Sequence, residues 1–348
     1  MNENNELLES SIQATDLCGE LLHKTTLIIW DKAPMANKAV LSCVDVTLRN
    51  VCHSHHPFGG KILILVGNFC QTCPVVPRGS KHDVIDTSIL SSPLWSLFKI
   101  WSLTIPIRTA PDPSFHQLSL DIGSGHTCDI TLSTFHSVYS IYDLIDFIFP
   151  TDVLHAPQLC SSLSILAPTN RQINAYNTAV LEWLSAPQRT YLAADDIKEV
   201  NDENLHPTSL LDYVCRQTPP GIPPHLLTVK IGGIYQLLRN LSVSRNLVKN
   251  TRVIITHLGD RLITVRKIGC LNPTTNQQNV DIILPRISFS TTLPSSNYTI
   301  LRKQFPLAPA YASTFNSCQG LTLDCVGIDL TKPIFSHGQL YTAFSQIW

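Results

Sequence analysis

Leu27, Ile28, Ile29 and Trp30 form a short apolar run that ends on Asp31 and is followed at once by Lys32, Ala33 and Pro34. A carboxylate at the carboxyl end of a buried strand is how an α/β protein offers an acid to a magnesium–nucleotide complex. The next residue decides what such a site can do. Hydrolysis wants a group there that polarises the attacking water, and the ammonium of Lys32 has three donors and no acceptor. Other signs of phosphate chemistry are thin. No G-x-x-x-x-G-K-[S/T] loop occurs in the 348 residues, and the pair Gly60, Lys61 runs straight into the apolar segment that begins at Ile62.

A second chemistry is written in cysteine and histidine. Cys70 and Cys73 form a C-x-x-C, and Cys52, His53, His55 and His56 crowd one segment, so that Cys52, His55, Cys70 and Cys73 make up a set of four zinc-type ligands. Against that, eleven cysteines without repeated spacing or secretory context read as reduced thiols, and a C-x-x-C without a spaced second pair is a weak metal signature.

The elements that must position these residues follow from the hydrophobic pattern. A chain of 348 residues with 44% hydrophobic content has material for two or three globular units. Its start, MNENNELLESS, lacks the pattern of a cleavable signal, and no apolar run approaches the ~18 residues of a membrane span. An intracellular protein is expected, nuclear if it acts on DNA. Charge is uneven: eleven Lys or Arg face only Asp260 and Asp281 between His225 and Phe305, whereas the first 224 residues carry thirteen basic and twenty-two acidic residues. The basic stretch is an electrostatic footprint suited to a polyanion, and equally a solvated surface.

Residues 14–109 alternate helix-like and strand-like pieces: a helix near Asp16 to His23, a strand at Leu27 to Trp30, a helix from Lys38 to Val51 and a strand from Lys61 to Val66. Two buried strands joined by such a helix predict a parallel α/β layer, with Asp31 and the Gly67, Asn68 turn at its carboxyl edge. Residues 110–160 read as a connecting region, with one helix around Tyr142 to Ile148. A second α/β unit opens with Leu163 to Ala167 and a helix capped by Asn170, and its pattern returns at Val326 to Leu330 and in a terminal helix starting near Ser336. Between them, five short β-rich runs from Leu226 to Leu284 predict a small inserted barrel or sandwich.

At this point the chain resembles the Pif-type (Helitron-type) ATP-dependent DNA helicases of superfamily 1. The likeness runs in order through LIIWDKAPM (27–35), PFGGKILILVGNFCQTCPVVPRGS (57–80), SSPLW (91–95), LTIPIR (103–108), LAPTN (166–170), LLRNL (237–241), SCQGLTLDCVGIDL (317–330) and FSHGQLYTAFSQ (335–346). It implies an α/β fold of two RecA-like domains with a small SH3-like β-barrel inserted in the second. The expected boundaries are 1–109 for a first domain shortened at its N-terminus, 110–160 for the connection, 161–225 plus 301–348 for the second domain and 226–300 for the basic barrel.

The resemblance also assigns roles. Asp31 matches the carboxylate that orients Mg2+ through water, Gln71 the glutamine that senses the terminal phosphate of ATP, and Arg108 the arginine that reaches the same phosphate. Lys32 stands where the family has the water-activating Glu, Asn68 where it has Asp, Cys70 where it has Arg, and Gln346 where it has the arginine finger. Single-stranded DNA contacts map onto Thr169, Asn170, Gln319, Gly320, Thr322 and His337, with Ser317 in place of a phosphate-binding Lys and Asn250 in place of a turn glycine. The losses fall on ATP chemistry while strands and turns are kept. The resemblance implies an ATP-dependent 5′–3′ DNA helicase of the recombination and repair class, with Mg2+ and ATP as cofactor and substrate; the losses imply that this copy is catalytically silent, the alternative being a transposon-derived remnant whose one partner is single-stranded DNA.

Overall fold

The computed structural model describes residues 8–76, 79–125, 135–199, 208–268, 280–292 and 298–347. Its helices in chain order are α1 Leu17–Lys24, α2 Lys38–Cys52, α3 Lys81–Thr87, α4 Pro113–Ser124, α5 Ile141–Ile148, α6 Thr151–Leu154, α7 Asn170–Trp183, α8 Thr208–Arg216 and α9 Gln339–Phe344. The strands are β1 Leu27–Trp30, β2 Ile62–Leu65, β3 Leu163–Ala167, β4 Gln188–Leu192, β5 Ala194–Glu199, β6 Leu226–Lys230, β7 Ile234–Leu237, β8 Arg252–Leu258, β9 Leu262–Lys267, β10 Asp281–Pro285, β11 Ile287–Thr292, β12 Tyr298–Gln304, β13 Leu307–Pro309, β14 Ala312–Thr314 and β15 Cys325–Ile328. Contacts divide the chain into two compact units: Met1–Leu132 with Phe315–Leu321 and Leu330–Trp348, and Ser133–Thr314 with Thr322–Asp329. Among the described residues no helix is long and apolar enough to cross a membrane.

In the first unit, α2 supplies most of the core. Asn37 caps it by accepting from the Ala39 N–H at 2.8 Å, and His53 ends it in the left-handed region. Leu41, Asp45, Leu48 and Val51 recur at helical spacing and form the buried face, with Leu41 and Leu48 packing on Ala33, Phe58 and Ile89. The buried Asp45 carboxylate is satisfied, since it accepts the Phe58 N–H at 2.6 Å and pairs with Arg49 at 2.9 Å. Strands β1 and β2 pair in parallel, Leu27 opposite Ile62 and Trp30 opposite Leu65. The two-residue period turns Ile28, Trp30, Leu63 and Leu65 into the core and leaves Leu27, Ile29, Ile62 and Ile64 exposed. The sequence predicts strands buried on both faces; here only one face is covered.

In the second unit, β3 is the centre of a parallel sheet between β14 and β15, and residues of α5 and α7 pack over it around Ile145, Ile165, Val180 and Tyr311. Thr169, not Asn170, caps α7, its hydroxyl oxygen accepting the Gln172 N–H, so Asn170 becomes the first helical residue. The β-rich section is antiparallel, with order β10-β9-β8-β7-β13 around Tyr235, Val253, Val265 and Phe305. It also recruits segments the sequence pattern passes over: β5 and β11 flank β12, and β4 pairs with β6.

Leu41 is fully buried on α2. Leu41→Ala is expected to lower unfolding free energy by about 2–5 kcal/mol, read from the midpoint and slope of a urea titration.

Candidate functional site

The site builds outward from the end of β1. The Asp31 carboxylate is exposed and accepts the N–H of Lys32 at 2.8 Å, which helps hold Lys32 in the left-handed region at φ 58°. The chain then turns so tightly under β2 that a Cβ on Gly67 would lie 2.2 Å from Pro34 Cδ, so this approach requires glycine. From that turn the Lys32 ammonium reaches the Gln319 carbonyl oxygen and donates to it at 3.0 Å.

Further polar links fasten the same C-terminal segments. Gln319 Nε2 donates to Gln71 Oε1 at 2.5 Å. Arg108 Nη1 donates to the Ser345 carbonyl at 2.9 Å and lies 3.5 Å from Gln346 Oε1. Gln346, only 1% exposed, accepts the Gly320 N–H at 3.0 Å and donates to the Thr342 carbonyl at 2.8 Å. Asn68 accepts the Cys70 N–H at 2.9 Å and donates to the Tyr341 hydroxyl at 2.9 Å. Burial, then the nearby Cys70, pushes the Tyr341 phenol up, so it stays a neutral hydroxyl. Backbone also meets backbone here: Gly338 sits at φ 74° and a Cβ on it would lie 2.1 Å from the Gln71 carbonyl oxygen.

The structure therefore brings Lys32, Gln71, Arg108, Gln319, Gly320 and Gln346 into one hydrogen-bonded group beside Asp31, with Asn68 joined to the same helix α9. His337, at the approach to α9, is exposed and outside the group. Thr169, Asn170 and Thr322 belong to the second unit, where Thr169 is occupied in capping α7. Two groups of this site escape sequence reasoning. Thr72 Oγ1 and Thr342 Oγ1 are buried with no hydrogen-bond partner, and no local pattern marks a threonine that will be enclosed in this way.

Cys52, His55, Cys70 and Cys73 are not gathered into a ligand cluster. Cys52 packs beneath Gly59 before β2, whereas Cys70 lies after β2 against Gly123. The length of the strand keeps the two groups apart.

In the second unit an open groove is lined by Gly221, Arg239, Asn240, Lys249, Ser290 and Thr291. Not all of the basic stretch is available as a surface. Arg302 is completely buried, the Arg252 guanidinium donates to the carbonyls of Ser161 and Leu163, and Arg266 pairs with Asp281. Arg239, Arg245, Lys249, Arg261, Lys267 and Lys303 remain exposed.

The family model described as PIF1-like helicase matches residues 2–131. The ATP-dependent DNA helicase PIF1 of Danio rerio is 25% identical over 343 residues, covering 97% of this chain, and the human PIF1 is 26% identical over 327 residues, covering 92%. Over nearly its whole length this chain is thus distantly similar to PIF1 helicases, and over residues 2–131 to the PIF1-like helicase model. It spans about half the length of these two relatives, 48% and 44% respectively. The crystal structure of Bacteroides Pif1 bound to ssDNA superposes with a TM-score of 0.68 at 23% identity, covering 98% of this chain and 72% of that one, and the Pif1 helicase of Candida albicans superposes at 0.64 and 20%, covering 94% and 72%. The mixed α/β fold is thus the fold of Pif1 helicases over most of the chain.

A Bacteroides Pif1 has also been crystallised with ADP-AlF3 and ssDNA, which raises the question of whether a magnesium nucleotide fits here. The side chains assembled at the end of β1 are one carboxylate, two cations and three amides. Magnesium demands a near-octahedral shell of oxygen ligands, usually with one or two carboxylates. Asp31 supplies one such carboxylate, and the Lys32 ammonium, directed at the Gln319 carbonyl, adds no oxygen ligand to it.

Cys318, fully buried between Ser317 and Gln319, has its thiol pushed by burial from 9.0 up to about 12. Because the folded value lies above the unfolded one, this contribution to stability is complete below pH 9.0 and is lost as pH rises toward 12. Denaturant titrations across that range are expected to show the wild type losing stability relative to Cys318→Ala.

Proposed function

We propose that this chain is a copy of a Pif1-type DNA helicase whose ATP chemistry is silent and whose remaining activity is binding single-stranded DNA. The observation that carries the reading is the seat of Lys32. Where the resemblance expects an acid to activate water, an ammonium instead donates to the Gln319 carbonyl. Gln346, where it expects an arginine finger, offers a neutral amide engaged with Gly320 and Thr342. An arginine finger is worth roughly 10³–10⁵ in rate, and an amide brings no positive charge to a developing phosphate anion. On this reading Asp31, Gln71 and Arg108 are vestiges of the nucleotide site. The lobes are RecA-like over 1–109 and over 161–225 with 301–348, joined through 110–160, and the antiparallel section 226–300 is an SH3-like barrel. The resemblance to Helitron-type helicases supports a transposon origin, and a DNA partner supports a nuclear location.

The DNA-binding part of the proposal draws on the turn at Thr169 and Asn170, on Gln319, Gly320, Thr322 and His337, and on the exposed cations of the groove. Arg239 and Lys249 lie there beside the hydroxyl residues Ser290 and Thr291 and the amide residue Asn240. Such a surface suits phosphodiester oxygens better than base edges, so it favours affinity without sequence preference.

A second reading, an active ATP-dependent helicase, is favoured by the retained grouping of Gln71 with the Gln319 segment and of Arg108 with α9. The two readings separate in one assay. Under the silent reading, ATP hydrolysis by the purified chain is not stimulated by single-stranded DNA and is unchanged in Asp31→Ala. Stimulated hydrolysis that Asp31→Ala abolishes overturns that reading. Binding to a fluorescent oligothymidine is expected at low salt, weakening linearly on a log–log plot of affinity against salt. Arg239→Ala or Lys249→Ala is expected to flatten that slope by about 0.7 for each phosphate the variant no longer neutralises. Absence of binding at low salt removes the DNA-binding proposal.

A further inference from the structure

One side-chain cluster in the second unit lies outside everything described above. Asp195 is near the start of β5, Cys215 is in the last turn of α8 and His225 immediately precedes β6. One ligand-type atom from each lies within 4.8 Å of those from the other two. His225 Nδ1 is 3.0 Å from Asp195 Oδ2.

The cluster is assembled by Arg302. This arginine on β12 is 0% exposed, and its Nε and Nη2 donate to the two Asp195 oxygens at 2.8 and 2.7 Å. Its remaining N–H groups donate to the carbonyls of Val214, Gln217 and Pro223 at 3.0, 3.0 and 3.1 Å. Val214 and Gln217 lie on either side of Cys215, and Pro223 lies two residues before His225. One buried guanidinium therefore fixes the backbone on which the cysteine is carried, the segment leading into the histidine, and the carboxylate itself.

We propose that Asp195, Cys215 and His225 form a binding site for a divalent transition-metal ion of the zinc class. One sulfur, one imidazole nitrogen and one carboxylate oxygen make a mixed set that suits zinc and its neighbours and is wrong for magnesium or calcium, which take oxygen ligands. Three protein ligands leave the fourth tetrahedral position to water. Two hydrogen bonds from Arg302 and the contact with His225 Nδ1 engage Asp195, and an ionised carboxylate, with about four lone-pair positions, has one left for a metal. Hydrogen bonding to a ligating carboxylate is the outer-shell support that metal sites ordinarily carry.

Protonation is consistent with this assignment. Burial, followed by the Asp195 carboxylate, pushes the Cys215 thiol up, so the metal-free protein holds it as S–H. Burial raises Asp195, but Arg302 and then His225 outweigh it and the carboxyl is held low, in its ionised form. Metal uptake breaks the S–H bond, forms a sulfur–metal bond and releases that proton to solvent. His225 would contribute the lone pair of a ring nitrogen and Asp195 an oxygen lone pair.

The test uses the full chain, reduced and freed of metal by chelator, titrated with Co2+ and then Zn2+. Expected are a saturable sulfur-to-cobalt charge-transfer band with tetrahedral d–d intensity, one equivalent bound, one proton released per ion and displacement by Zn2+. Cys215→Ser should abolish the charge-transfer band. His225→Gln, whose amide can still donate to Asp195 and guards against a folding defect, should weaken binding at least tenfold while circular dichroism is unchanged. Absence of a band in the wild type, a band that survives in Cys215→Ser, or unchanged affinity in His225→Gln overturns the proposal.

Discussion

A polar group enclosed by a fold needs a partner, and in the first unit partly exposed side chains reach across more than two hundred residues of sequence to find theirs. Lys32, Gln71, Arg108 and Asn68 lie in the N-terminal half, and their partners are Gln319, Ser345, Gln346 and Tyr341. Leaving such a donor or acceptor enclosed and unpaired costs about 1–3 kcal/mol, more when it is charged. Of the residues in these links only Gln346 is buried, so that penalty bears on its contacts and not on the exposed Lys32 and Asn68; the segments Phe315–Leu321 and Leu330–Trp348 cluster with the N-terminal residues. Residues that resemble a nucleotide site are hydrogen-bonded into the fastening of this unit.

The same rule changes how the charge distribution is read. Counted along the sequence, the excess of basic residues after His225 is a single block. In the fold it divides into cations that serve backbone carbonyls and carboxylates, such as Arg302 and Arg252, and cations that stay in water, such as Arg239 and Lys249. Only the second kind contributes to a field that a polyanion senses at a distance, because the first is neutralised or locked at short range. The effective footprint is smaller than the composition suggests, and it includes the groove by Ser290 and Thr291.

Much of the α/β framework was legible before any coordinates. The runs at Leu27, Ile62 and Leu163 have strand length and apolar character, and α2 and α7 carry stripes at helical spacing, because burial of one face dictates the period. Helix α4 was missed inside a region read as connection, although Asp112 as cap, Pro113 in the first turn and Gly125 in the left-handed region beyond the end spell out its limits. Strands β5, β11 and β12 were missed for a different reason. Their residues alternate weakly and include Asp195, Lys198, Arg302 and Lys303, so their pairing is decided by tertiary partners such as the Asp195–Arg302 bond and not by local pattern. Asp31, Gln71, Arg108, Gln319 and Gln346 can each be singled out in the sequence, but which of them touch is not legible there. Hydrogen-bond partners distant in sequence leave no periodic trace.

Fold and chemistry place unequal demands on sequence. Backbone approach admits almost no substitution: at Gly67 and Gly338 a single added carbon would lie about 2 Å from its neighbour. The position of Lys32 has no such restriction. Its backbone is in the left-handed region, at a cost of order 1–3 kcal/mol, but its side chain projects to a carbonyl through a flexible four-carbon stem. An acid would meet no backbone clash at that turn, but it could not donate to the Gln319 carbonyl as the ammonium does. Strands, caps and close turns depend on shape and on satisfied backbone groups, both of which survive a change of side-chain charge. Phosphate chemistry depends on the sign of that charge at one atom.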